Sequence, residues 1–295
     1  MGNTFLNRAH RFSVESTVLE LISYISEAQH PDGGWGQAGA CSWTEPTAFA
    51  VYALASAGAD GRAVDRGRAW LLRMQRADGG WPPHQAVGES TWVTAPVTIA
   101  LAGLGEEGGA AKGRDWLVRQ YGAELQSRPV MLGLMTRTRR VRTGAWPWFP
   151  GTAGWVTPTA LSLLALEPEA HRPAIAERLA AGRAHLLSHV CADGGWNHGS
   201  PRALGYDAPS YPETTGQALV ALRSETALPI GKAIEKAEAD LAGCYTAQGA
   251  AWLALGLAAH GRAPRGFPRG LVVRDILDAA ILLLAKLGLN GKRIF

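Results

Sequence analysis

Gln29–Trp35 (QHPDGGW), Gln75–Trp81 (QRADGGW) and Val190–Trp196 (VCADGGW) are one motif written three times, and Gly144–Trp146 (GAW) is an eroded fourth copy. A Gly-Gly-Trp punctuation that recurs every few tens of residues marks an array of one supersecondary unit. Aligning on its tryptophan exposes an aromatic column eleven residues earlier: Tyr24 (35−24), Trp70 (81−70) and His185 (196−185). The flanking strings LISYISEAQ, RAWLLRMQ and RAHLLSHV carry apolar residues at i, i+3 and i+4, which predicts an amphipathic helix before each turn. Arg114–Gln120 (RDWLVRQ) places Trp116 in the same column and predicts a tryptophan at 127; it comes at 146, so the third unit carries an insertion of 19 residues (146−127) over about 127–145.

After each turn comes a second helix of a different kind. Pro46–Leu54, Pro96–Leu104, Pro158–Leu166, Thr214–Leu222 and Ala247–Leu255 read PTAFAVYAL, PVTIALAGL, PTALSLLAL, TTGQALVAL and AQGAAWLAL. These strings are apolar or small almost all round, as a helix buried on every side requires. Proline in the first turn sacrifices no intrahelical bond, and Thr44 or Thr157 is placed to cap. Amphipathic helices alternating with fully apolar ones predict an all-α fold, an α/α toroid of about six helix pairs with an apolar inner ring and an amphipathic outer ring. Outer helices are expected near 13–30, 62–76, 109–121, 172–190, 230–243 and 271–288, and inner helices near 44–58, 91–105, 155–167, 212–224 and 247–260. An open solenoid is the alternative, but it calls for more uniform repeat lengths and polar end caps.

At 295 residues and 47% hydrophobic content the chain can bury a large core, and residues 1–295 are read as one domain. The 29 basic and 25 acidic residues are too evenly matched to call for a nucleic-acid partner. Cys41, Cys191 and Cys244 share no close spacing, which suggests neither disulfides nor a zinc knuckle and fits a reducing compartment. The N-terminus shows no signal-peptide pattern, and the most apolar segment, Ile276–Leu289, is interrupted by Asp278 and Lys286. A cytoplasmic protein is expected, with no cofactor and no metal quartet of defensible spacing.

The Gln-x-x-Asp-Gly-Gly-Trp turns followed by Pro-Thr-Ala-x-Ala-Leu helices resemble the repeats of squalene and oxidosqualene cyclases, and the helical toroid is similar to protein prenyltransferase β subunits. The resemblance covers roughly residues 13–260 and implies a toroid whose central cavity accepts an isoprenoid chain. It implies cyclisation or prenyl transfer less directly. The Asp-x-Asp-Asp acid of class II terpene cyclases has no match; Asp275–Asp278 (DILD) comes nearest and reads as one face of an amphipathic helix. The Asp, Cys and His zinc ligands of prenyltransferases, an aspartate-rich magnesium motif and the Gly-Cys-Gly-Glu-Gln thioester string of complement toroids are also missing.

In a toroid the long turns gather at one end, and variable loops on a rigid scaffold are where binding residues sit. Just before the inner helices stand Trp43 and Glu45, Trp92, Trp155, Tyr211 and Glu213, and Tyr245. This aromatic ring with two carboxylates is a candidate substrate mouth whose π faces would stabilise a carbocation. A carboxylate facing an apolar cavity would be a general acid, and Glu45, Glu213 and Asp207 of the fourth turn are the candidate proton donors. The competing reading makes the aromatics rim packing and the glutamates helix caps. The insertion adds Arg137, Arg139, Arg140 and Arg142 ahead of Trp146 and Trp148, a candidate cradle for a diphosphate or an anionic headgroup that would also permit peripheral membrane contact. The functional expectation is a terpenoid cyclase-like protein acting on an isoprenoid or similarly long apolar substrate; the alternative is a non-catalytic lipid-binding or interaction scaffold. Oligomeric state is not legible.

Overall fold

A computed structural model describes residues 12–37, 41–59, 61–131, 135–203, 205–264 and 266–295, with backbone alone for 125–131, 135–139 and 203. The chain runs through α1 (Val18–Glu27), α2 (Thr44–Ser56), α3 (Gly61–Met74), α4 (Thr94–Gly103), α5 (Glu107–Val118), a hairpin of β1 (Gly122–Met131) and β2 (Met135–Thr143), and a short pair β3 (Trp146–Pro147) and β4 (Gly154–Trp155). It continues through α6 (Val156–Leu166), α7 (Pro173–Ser188), another short pair β5 (Arg202–Ala203) and β6 (Tyr206–Asp207), α8 (Pro212–Ala221), α9 (Leu228–Gly243), α10 (Ala247–Ala259) and α11 (Ile276–Leu289).

The all-round apolar helices form a closed ring in which α2 packs on α4, α4 on α6, α6 on α8, α8 on α10, α10 on α11, and α11 back on α2. The amphipathic α1, α3, α5, α7 and α9 lie outside it. The ring closes differently from the sequence expectation. The last helix, expected as an outer one, is the sixth inner helix, buried from Ile276 through Ala285 except Leu277. Its two interrupting charges do not face solvent. Asp278 joins the helix's own cap, and Lys286 Nζ donates to Val14 O at 2.7 Å.

The repeated turns explain why the array holds its register. In the second unit, Gly79 has φ +94°, and a Cβ there would lie 2.6 Å from Lys112 O of the next outer helix. Asp78 Oδ1 accepts from Gly80 N and Ser90 Oγ, and its Oδ2 accepts from Trp116 Nε1 of the following unit at 3.2 Å. Trp81 is fully buried, with Nε1 donating to Leu71 O at 2.7 Å and its backbone N–H donating to Thr94 Oγ1. Trp35, Trp146 and Trp196 repeat both bonds, to Ile25 O, Leu117 O and Leu186 O and to Thr47, Thr159 and Thr215. Each aspartate thus ties its turn to the next unit and each tryptophan ties the two helices of its own unit together, and the eroded Gly-Ala-Trp turn keeps the tryptophan bonds.

The insertion, expected as an arginine-bearing loop, is a two-stranded antiparallel hairpin with Gly122 opposite Thr143 and Leu125 opposite Arg140. Alternating Thr, Arg and Val in MTRTRRVRT have β propensity, and the cross-strand ladder satisfies backbone groups that an isolated loop leaves to water. The loops at the start of the inner helices are stitched into a rim: Thr44 N donates to Pro83 O, Trp92 N to Trp148 O and Val156 N to His198 O. Each bond joins one inner helix to the turn of the next unit.

Candidate functional site at the rim

The inner helices all begin at this rim, and four carboxylates stand at their N-termini. Glu45 lies in the first turn of α2, Glu213 in that of α8, and Asp275 and Asp278 at the start of α11. The four differ in what holds them. Glu213 Oε1 accepts from Thr246 Oγ1 at 2.9 Å, and Thr246 in turn caps α10 through Gly249 N. Asp275 Oδ1 accepts from Asp278 N at 2.9 Å and Asp278 Oδ2 from Arg274 N at 3.0 Å, so the pair form the N-terminal cap of α11. Glu45 has neither a hydrogen-bond donor nor a counter-cation among the described residues.

That difference sets the electrostatics. Desolvation, reinforced by the Asp275 charge, lifts the Glu45 pKa from 4.5 to about 7. The positive end of α2 favours the anion, but burial outweighs it. Glu45 is nevertheless only partly buried by accessible surface. Asp278 is raised from 3.8 to about 6, chiefly by burial, with the Arg274 N–H opposing and Asp275 and Glu213 adding repulsion. Tyr24 of α1 is raised by burial and by the same two aspartates. One turn below Glu45 on the same face of α2 is Phe49, whose ring meets Trp252 of α10 edge-on at 6.0 Å across the inside of the ring.

The aromatic candidates divide. Trp92 and Trp148 meet in a T-shaped pair at 4.5 Å, Trp43 lies against His84 at 4.6 Å and Tyr211 against His198 at 5.1 Å. Trp155 is half-buried beside Gly199, and Tyr245 is 75% exposed. Trp146 sits in the core as the clamp of the third unit, with the Arg178 guanidinium 3.8 Å over its ring. Asp207 is exposed and paired with Arg202 at 3.4 Å. Of the insertion arginines, Arg140 reaches Gly151 O at 3.5 Å, and Arg142 lies 5.2 Å from the centre of the Tyr121 ring. The side chains of Arg137 and Arg139 lie outside the described residues. Among the described residues no group of three His, Cys, Asp or Glu side chains is set to hold a metal, and no helix is long and apolar enough to cross a membrane.

Other proteins share this architecture of inner and outer helical rings. The type II terpene cyclase MstE from Scytonema superimposes with a TM-score of 0.55 and 16% identity, covering 95% of this chain and 80% of that one. The fold is a terpenoid cyclase-like α/α toroid. An α-1,6-mannanase from Salegentibacter has a similar fold, with a TM-score of 0.59 and 12% identity over 92% of this chain and 100% of that one, so the scaffold by itself does not select a chemistry. In sequence, drimenyl diphosphate synthase of Streptantibioticus cattleyicolor is 29% identical over 221 residues, 70% of this chain. The chain spans 37% of the length of that curated relative. No family model matches it.

Sequence reasoning set aside Asp275 and Asp278, because an acidic pair in a run ending in Lys286 looks amphipathic. The signal was there: two aspartates at i and i+3 heading an apolar run form a capping pair. Against Asp-x-Asp-Asp, DILD keeps the first and last aspartates, both engaged as caps, and has Leu277 at the third position.

Proposed function

We propose that the toroid takes up an isoprenoid or similarly long apolar substrate at the rim end of its inner ring and starts cyclisation by protonation from Glu45. The observation that carries this reading is that, among the described residues, Glu45 is the one rim carboxyl that is both desolvated and unengaged, with its pKa raised to about 7. Such a group keeps its proton near neutral pH and has no other partner to satisfy among the described residues. In the step, the Glu45 O–H bond breaks and its proton adds to a terminal alkene carbon. The π electrons of further double bonds close the ring. Loss of a different proton quenches the cation, so the product is an isomer of the substrate. Phe49 below the acid, with Trp43 and Trp92 at the mouth, would present π faces to the developing charge. The likeness of MstE, solved with geranylgeranyl dihydroxybenzoate as its substrate, and of drimenyl diphosphate synthase supports an isoprenoid substrate class.

The non-catalytic scaffold reading draws on a specific observation too: Leu277 stands where the acid motif has an aspartate. Incubation with linear isoprenoids, with and without a diphosphate, and mass-spectrometric analysis of the products separates the two. Conversion by the wild type that is lost in Glu45→Gln and kept in Asp207→Asn supports the proposal. Glu213→Gln tests whether the Thr246-bound carboxylate contributes. Conversion indifferent to Glu45→Gln overturns the acid assignment, and saturable binding without conversion establishes the scaffold reading.

A further inference from the structure

At the opposite end of the ring lies a cavity that the rim chemistry does not use. Its volume is about 590 Å³, within the range of small-molecule sites. Val220 of α8 and Leu255 and Ala258 of α10 supply its apolar wall, and the segment after α11 closes it with Ile294 and Phe295. Phe295 stacks on Trp252 at 6.0 Å and lies 5.7 Å from the Tyr52 ring. Tyr52 is one to two turns further down the same face of α2 that carries Glu45 and Phe49. These aromatic rings stand between Glu45 and the cavity, which is therefore a separate chamber.

Its mouth is cationic. Arg223, Lys292 and Arg293 line it together with Glu167. Glu167 already serves two guanidinium groups, Arg183 at 3.1 Å and Arg223 in a shorter contact. Arg183 Nε stands 4.0 Å from Glu225. Lys292 donates to the Ser56 main-chain oxygen, and Arg293 Nε lies 3.4 Å from the Phe295 main-chain oxygen. Among side chains, four cations stand against two carboxylates, a side-chain surplus of two (4−2). Helix C-termini attract cations, and this accounts for part of the cluster, since Arg223 Nη1 also donates to Val220 O at 3.2 Å. The Ser56 oxygen that Lys292 meets carries only partial charge, and the mutual repulsion of Arg223, Arg293 and Arg183 remains. Burial, with that repulsion added, lowers the Arg223 pKa despite Glu167.

We propose that this chamber binds an amphiphilic anion, its carboxylate or phosphate headgroup on Arg293 and Arg223 and its hydrocarbon tail along Val220, Leu255 and Ala258. An anion there would relieve the charge surplus, and only an apolar tail matches the wall. The proposal is independent of catalysis at Glu45.

Calorimetric titration of the full chain with decyl phosphate, decanoate, decanol and inorganic phosphate tests it. Decyl phosphate and decanoate are expected to bind one per chain, with decanol and inorganic phosphate at least about tenfold weaker because each lacks one half of the match. Arg293→Gln, at an exposed position that tolerates change, should weaken both amphiphiles about tenfold or more. Ala258→Trp, checked for an unchanged helical circular dichroism spectrum, should abolish binding by filling the chamber. No saturable binding of either amphiphile, equal binding of decanol or of free phosphate, or affinity unchanged in both variants would overturn the proposal.

Discussion

Replacing Glu45 by glutamine removes a titration whose effect on stability follows from its surroundings. The folded-state pKa is about 7 and the ordinary value 4.5. Between those values the unfolded chain has released its proton while the folded chain still holds one, so stability falls as pH rises. The contribution is complete below 4.5 and lost above about 7. The interval bounds the effect at about 3 kcal/mol, and the residual accessible surface of the side chain brings the expectation to about 2 kcal/mol. Other groups titrate in the same window. His185, held down to about 4 by burial and His189, makes stability rise with pH, and Asp278 makes it fall. Both are common to the two proteins, so the difference between wild type and Glu45→Gln isolates Glu45. Urea unfolding at about pH 5 and about pH 8 should show the wild type losing about 2 kcal/mol more than the variant. Parallel stability profiles for the two proteins would refute the reasoning, because the carboxyl would then titrate like one in water.

Three further outcomes concern the scaffold and are read by thermal or urea denaturation. Trp81→Phe leaves the buried Leu71 carbonyl without its donor and should cost about 1–3 kcal/mol. Gly79→Ala places a side chain on a backbone at φ +94° and 2.6 Å from Lys112 O, and should cost about 2 kcal/mol or more. Arg114 is 2% exposed and bonds Glu107, Glu169 and Ala165 O; its change to alanine should destabilise by about 3–5 kcal/mol, and a loss under about 1 kcal/mol would show the pairs to be idle.

The repeat made most of the architecture legible because each part of it has a separate physical job. Tryptophan fills the gap between units, glycine takes the left-handed turn, and the apolar strings can only be buried. The same signal survived in Gly144–Trp146, where two letters of the motif were enough for Trp146 to reach Leu117 O. It failed at α11, whose Asp278 and Lys286 look solvent-facing until the cap and the Val14 carbonyl are seen; those partners are tertiary or depend on knowing where the helix begins. At the rim, sequence picked out Glu45 and Glu213 by their column but had no way to separate them. The distinction rests on Thr246, 33 residues from Glu213, which engages that carboxylate, while Glu45 has no such partner among the described residues. The hairpin was legible in principle from alternating β-branched and long polar residues. A helical context hid it.

Carrying out the conversion of a linear isoprenoid in D₂O tests the central claim most directly, since a proton held on Glu45 exchanges with solvent. Protonation by the carboxyl predicts a cyclised product with one deuterium per initiating event, and no such product from Glu45→Gln. A cyclised product free of solvent deuterium, or one formed equally well by Glu45→Gln, would contradict the account.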